Sequence, residues 1–338
     1  ILVQNEPFFE NLWQGGSSLG NRAGFETSTD ILVGVIGLLI VIEAARRSLG
    51  WALPIMCGLF LVYAFIGPSM PDWLFPHRGY TIERIVAQAF LQAQGTFGVA
   101  LSVMFTYVFL FVIFGAFLAA TGATRFIIDF AQSVFGASPG GPATVAVLSS
   151  GLMRSLSGSA VANTATTGTF TIPMMRSAGF KATTAAGIQA AASSGGALMP
   201  PVMGAGAYMM LEIVDPPVTY LQIIRAALIP AILYYLSLFL ITHFHARSAE
   251  GGAAALKASA AKATPLGESL MEGIVFATAL GTLILMLIVG YTPFRAVSVS
   301  LLAIVVVGAF NPRTRLSLGA IIQAFAKSAR DVVSLVAA

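Results

Sequence analysis

The densest run of groups able to hold a small solute is SLSGSAVANTATTG at 155–168, which offers six hydroxyls and the amide of Asn163 without an ionisable side chain. A helix broken inside a membrane frees backbone carbonyls at one side of the break and N–H groups at the other. Such a break can hold a cation and a carboxylate without burying charged side chains. Ser157, Gly158, Ser159 and Asn163 sit where the break is expected. A second interruption, Met199-Pro200-Pro201-Val202-Met203-Gly204, would supply the facing backbone groups, because neither proline donates a backbone hydrogen bond. Oxygen ligands of this kind suit Na⁺ and other hard cations. Small residues also serve close helix packing, and that alternative fits the same composition.

Arg154 stands one turn before the first break. At mid-membrane depth an arginine costs at least ~2.5 kcal/mol to insert. One reading makes it the bidentate partner of a substrate carboxylate; the other has it paired internally or snorkelling along a hairpin. Elsewhere reactive chemistry is sparse. His243 and His245 are two apart at a helix end, which is not the four-residue spacing that aligns metal ligands. Cys57, the single cysteine, reads as a small core filler. Glu43 and Asp129 read as solvated groups flanking spans, and Met174-Met175 and Met209-Met210 as packing. There is no P-loop, no His-Glu-x-x-His, no Gly-x-Ser-x-Gly and no Cys/His cluster, so the chain does not read as an enzyme and no cofactor is implied.

The elements that must position these residues are membrane helices. Of 338 residues, 57% are hydrophobic and 9% charged, and the mean hydropathy is +0.85, which excludes a water-soluble fold and intrinsic disorder. A net charge of +4 with no basic run gives nucleic acid nothing to bind. Segments 1–29 are polar and read as an aqueous connector. Spans are predicted at 31–45, 51–66 and 98–120, with an aromatic and proline-rich outer loop at 67–80 and amphipathic segments at 81–96 and 126–135. Half-length helices are expected at 142–157 and 160–172, with Gly158 and Gly168 inviting breaks and Pro173 ending the second. A helix over 181–198 is then interrupted and resumes at 202–213. An interfacial stretch at 219–225 precedes a span at 226–244, and 245–265 reads as an inner linker. Spans at 272–290 and 296–310 and an amphipathic segment from 316 close the chain.

The order of span, loop, span and interfacial helix thus occurs twice, at 30–96 and from 268, and both copies hold Gln-Ala-Phe, at 88–90 and 323–325. Arg46, Arg47, Arg125, Arg176, Lys181, Arg247, Lys257, Lys262, Arg313 and Arg315 fall inside, and Arg22, Arg78, Arg225 and Arg295 outside. The first copy then enters from outside and the second from inside, the inverted repeat of secondary transporters. The fold class is all-α and polytopic. The organisation is a connector at 1–27, a first repeat at 28–244 that contains scaffold helices (30–96) and a hairpin with a broken helix (142–213), a linker at 245–267, and the start of a second repeat at 268–338.

The strings SGSAVANTATTGTFTIPMMRSAGF (157–180) and AGIQAAASSGGALMPPVMGAGAYMM (186–210) resemble the large membrane subunit of TRAP transporters, the tripartite ATP-independent periplasmic transporters. Val161-Ala162-Asn163 with Thr166-Thr167-Gly168-Thr169-Phe170 is similar to the TAXI branch, whose permeases are often fused. The resemblance covers about 28–338. It implies an elevator-type, Na⁺-coupled importer of an organic anion in a bacterial or archaeal inner membrane. The solute would be a carboxylate such as glutamate or a C4 or C5 dicarboxylate, delivered by a periplasmic solute-binding protein. A small four-helix membrane subunit is the other implied partner. It further implies a Na⁺ site at Ser157, Gly158, Ser159, Asn163, Pro200 and Gly204, and a substrate wall that includes Ser159, Asn163, Thr166 and Pro201. Arg154 is added to that wall on its own chemistry. A second hairpin and broken helix are expected after Ala338, so the chain reads as part of a longer polypeptide. A passive channel or a membrane scaffold without transport would use the same broken helices.

Overall fold

The computed structural model describes residues 24–92, 94–136, 138, 140–157, 160–248, 270–310 and 314–336. The connector expected at 1–27 lies almost wholly outside them, as does most of the 245–267 linker. Among the described residues every regular element is helical. Five helices are long and apolar enough to cross a membrane: Ser28–Leu49, Ala52–Ser69, Val99–Ala120, Tyr220–Ala246 and Met271–Ile288. Contacts divide the chain into two compact units, 1–104 with 333–338, and 105–332.

In the first unit α1 (Ser28–Leu49) starts at a capping box, in which the Thr27 hydroxyl accepts from Asp30 N–H while the Asp30 carboxylate accepts from Thr27 N–H. It stops at Gly50, whose φ of 83° suits glycine. Arg46 and Arg47 in its last turn both hold Glu43, at 2.6 and 2.8 Å. α2 (Ala52–Ile66) runs back beside α1, and Cys57 on it is exposed rather than buried, which corrects its reading as core filler. A membrane span turns apolar side chains toward lipid, so an apolar neighbourhood in sequence does not predict burial there. The amphipathic segment forms α3 (Ile82–Val86) and a π-helical turn, Ala87–Leu91. Its Phe90 ring lies so close to Gly37 of α1 that any Cβ there would overlap it.

The second unit begins within α4 (Val99–Ala120) and holds α5 (Ala123–Phe135), α6 (Gly141–Ser157), α7 (Ala160–Ser177), α8 (Ala182–Gly195), α9 (Ala205–Ile213), α10 (Tyr220–Ser248), α11 (Leu270–Ile288), α12 (Pro293–Ala309) and most of α13 (Leu318–Val336). α6 and α7 pack as a hairpin, and α8 lies against both. α5 and α10 flank α6, while α12 packs on α11 and α4.

Four local expectations change. α7 continues through Pro173 to Ser177, because the missing N–H removes one ladder bond while Met175, fully buried beyond it, joins an apolar core with Ala146, Phe180 and Ala192. Gly168 does not break α7. A Cβ there would sit 3.3 Å from Ile172 and 3.4 Å from Gln189, so the glycine serves close packing on α8. The interfacial stretch expected at 219–225 and the span at 226–244 form, from Tyr220 on, one helix, α10, that also absorbs Pro230. Asp129 is only 7% exposed, with Arg125 3.8 Å away, so it is buried rather than solvated.

Candidate functional site

The helices α6, α7 and α8 are joined by one buried polar network. Gln189 on α8 is its centre. The Gln189 side-chain nitrogen donates to Thr167 (2.5 Å), and its oxygen accepts from Ser150 (3.0 Å) and Thr171 (2.7 Å). Ser150 and Thr167 also meet across the hairpin at 3.1 Å. One turn toward the hairpin's connection, the Asn163 nitrogen donates to the Ser150 carbonyl (2.9 Å) and to Ser193 Oγ (3.1 Å). All six residues are buried. A carbonyl can only accept, so the contact with Ser150 fixes which way the Asn163 amide faces. Its Oδ1 is then left buried with no hydrogen-bond partner. Such an orphaned acceptor is costly unless something supplies positive charge to it.

Past α8 the chain unwinds. Carbonyls of Ser194, Gly195 and Gly196 accept tight turn bonds from Ala197, Leu198 and Met199, and Ala197 O accepts from Gly204 N–H at 2.9 Å. Met203 takes a left-handed conformation with φ 55°, and the helix resumes at Ala205, three residues later than the sequence suggested. The interruption is held by tyrosines. Tyr220 donates to Pro201 O (2.8 Å) and Val202 O (2.9 Å), Tyr208 also donates to Val202 O, and the two rings stack at 5.1 Å. Tyr107 stacks on the other side of Tyr208 at 5.6 Å. Further back, Tyr234 and Tyr235 of α10 donate to Ala191 O (2.9 Å) and Ala192 O (3.0 Å).

Among the residues singled out by sequence, Asn163, Arg154, Pro200, Pro201 and Gly204 lie on the hairpin or at the interruption. Ser157 is the last residue of α6, and Gly158 and Ser159 lie outside the described residues. The Pro201 carbonyl is already engaged by Tyr220. Thr166 is exposed on the side of α7 away from the network, and its neighbour Thr167 holds the buried position. Sequence reasoning missed Ser150, Thr167, Thr171, Gln189 and Ser193. The signal was a polar stripe at four-residue spacing, 163, 167 and 171 on α7 with 189 and 193 on α8, which puts each set on one helix face. A separate cavity of about 130 Å³ among α5, α6 and α10, bounded by Val147, Leu148, Tyr235 and Phe239, is apolar and offers nothing to an ion. His243 stacks on Phe239 and meets Phe244 edge-on, and no cluster of three metal-ligating side chains forms among the described residues.

Residues 36–338 match the family model described as "Tripartite ATP-independent periplasmic transporter, DctM component". The chain is 34% identical over 165 residues, 49% of its length, to the 2,3-diketo-L-gulonate TRAP transporter large permease protein of Escherichia coli, and the aligned segment is a third of that relative's own length. It is 32% identical over 137 residues to the C4-dicarboxylate TRAP transporter large permease protein of Pseudomonas aeruginosa, covering 40% of this chain and 31% of the relative. It is also 28% identical over 153 residues to the isethionate TRAP transporter permease protein of Oleidesulfovibrio alaskensis, covering 44% of this chain and 24% of the relative.

Proposed function

We propose that this chain, a member of the DctM-component family of TRAP-transporter large membrane subunits, forms part of the transport site of a Na⁺-coupled importer of organic anions. It is a multi-pass inner-membrane protein of a transport family. The observation that carries the sodium reading is the buried, unpartnered Oδ1 of Asn163, at the connection side of the hairpin. An amide oxygen is a hard ligand suited to Na⁺. Backbone carbonyls at Ser157, Gly158 and Ser159, and at Pro200 and Gly204 of the interruption, would complete the shell. Tyr220 and Tyr208 keep the unwound segment in one shape, so the ion meets a preformed cradle. The relatives are named for 2,3-diketo-L-gulonate, C4-dicarboxylates and isethionate, all organic anions, and this supports an anionic solute here. Ser159 and Pro201 belong to the proposed solute wall, and the TAXI branch is the proposed subfamily. Delivery by a periplasmic binding protein, a small four-helix partner subunit and elevator-type movement complete the reading. No covalent catalysis is needed.

The test is binding of ²²Na⁺ to the purified permease and to Asn163→Ala. Losing one ligand to a cation weakens binding by about tenfold or more, in line with ~1.5–3 kcal/mol for a hydrogen bond to a charged group. Equal sodium affinity in the two proteins would remove Asn163 from the site.

A further inference from the structure

Arg154 is only 6% exposed, and its Nε and Nη1 are buried without a hydrogen-bond partner. Its stem crosses α8 at Gly196, where any Cβ would overlap Arg154 Cβ and Cγ, so the backbone is cut away to admit this side chain. The base of the side chain therefore lies against the start of the unwound segment, one turn beyond Ser150 on α6.

Two ordinary uses for a buried arginine fail here. The first is pairing with an acidic side chain. α4, α6, α7, α8 and α10 contain no Asp or Glu, and Asp129 of α5, the single carboxylate on the helices packed against α6, lies beside Arg125. The second is capping the carbonyls at the end of α8. Most of those carbonyls already have donors: Tyr234 and Tyr235 serve Ala191 and Ala192, and turn N–H groups serve Ser194, Gly195, Gly196 and Ala197. Two N–H groups of an always-charged side chain thus remain in the interior with neither carboxylate nor acceptor among the described residues. Such a charge is retained where a ligand completes it.

We propose that Arg154 is the anion-recognising residue of the transport site and takes one carboxylate or sulfonate group of the solute. The proposal rests on the transport reading but makes its own claim. Asn163 offers an unpaired oxygen to a cation, and Arg154, on the facing arm of the same hairpin, offers unpaired N–H groups to an oxyanion. A planar guanidinium suits both carboxylate and sulfonate, whereas an ammonium at the same place would be a point charge without the fork.

The experiment is thermal unfolding of the purified permease in uncharged detergent, with succinate, 2-oxoglutarate or 2-hydroxyethanesulfonate titrated against chloride at equal ionic strength. A parallel series replaces the small anions with phosphatidylglycerol. The wild type is expected to be stabilised by at least one small anion. Arg154→Met should bind it about tenfold or more weakly, with Arg154→Lys between the two. Gly196→Ala, which displaces the stem while keeping the charge, should weaken it as well. If Arg154→Met fails to fold, the Lys and Ala variants carry the comparison. The proposal is overturned if no small anion stabilises the wild type, if the variants respond equally, or if phosphatidylglycerol alone stabilises it. Unchanged sodium binding alongside lost anion binding would show that the two sites fail separately.

Discussion

At the scale of single residues, the site depends on what each buried polar atom lacks. Gln189 lacks nothing: both ends of its amide are used, and it holds the two hairpin arms to α8. Gln189→Leu strips partners from Ser150, Thr167 and Thr171. Each hydroxyl keeps a second partner, so the loss is of three hydrogen bonds at ~0.5–1.5 kcal/mol each, and the melting temperature should fall by several degrees. Thr166→Ala, one position from the network but exposed, should change stability by less than about 0.5 kcal/mol. Similar melting temperatures for the two variants would mean that the network does not hold the hairpin. The contrast also shows how much was legible. The string around Asn163 pointed to the polar hairpin, because small polar residues in an apolar chain stand out. Which threonine joins the buried network depends on helix phase: four-residue spacing from Asn163 selects Thr167, whereas Thr166, named on the family resemblance, lies exposed.

At the scale of elements, helix ends were read well where a backbone rule decides them. Gly50 ends α1 and the prolines interrupt the chain after α8, because a left-handed φ or a missing N–H acts locally. Pro173 and Pro230 were misjudged or passed over for the opposite reason. One lost bond is small beside the packing that carries α7 and α10 onward. The tyrosine brace was invisible in sequence: Tyr208 lies within the 186–210 string, but no spacing rule pairs it with Tyr220 or aims either hydroxyl at Pro201 and Val202. Tyr220→Phe removes the donor to Pro201 O and one of two donors to Val202 O. Hydrogen exchange of the Met203 and Gly204 amides should then speed up by about tenfold, as expected when local stability falls by ~1–2 kcal/mol. Unchanged exchange would mean that the cis Pro200–Pro201 segment keeps its shape without the brace.

At the scale of the molecule, composition alone gave the class. A chain with 9% charged residues belongs in a bilayer, and five helices of spanning length bear this out. The order of elements is repeated, α1, α2 and α3 being matched by α11, α12 and α13, although the second amphipathic helix is far longer, at 19 residues against 5 in α3 and 5 in its π turn. Sequence order could show that repetition because each copy is a run of local signals. The Gln189 network could not be read the same way, since it joins three helices through side chains that are apart in sequence. What the whole molecule is proposed to do is couple a sodium gradient to the movement of an organic anion. The most direct measurement is uptake of labelled anions into proteoliposomes that contain the permease with the proposed small subunit and binding protein. Accumulation should follow an imposed Na⁺ gradient, vanish when the gradient is collapsed, and fall at least about tenfold in Asn163→Ala at limiting sodium. Accumulation that ignores the sodium gradient, or an Asn163→Ala permease that transports like the wild type, would contradict the account.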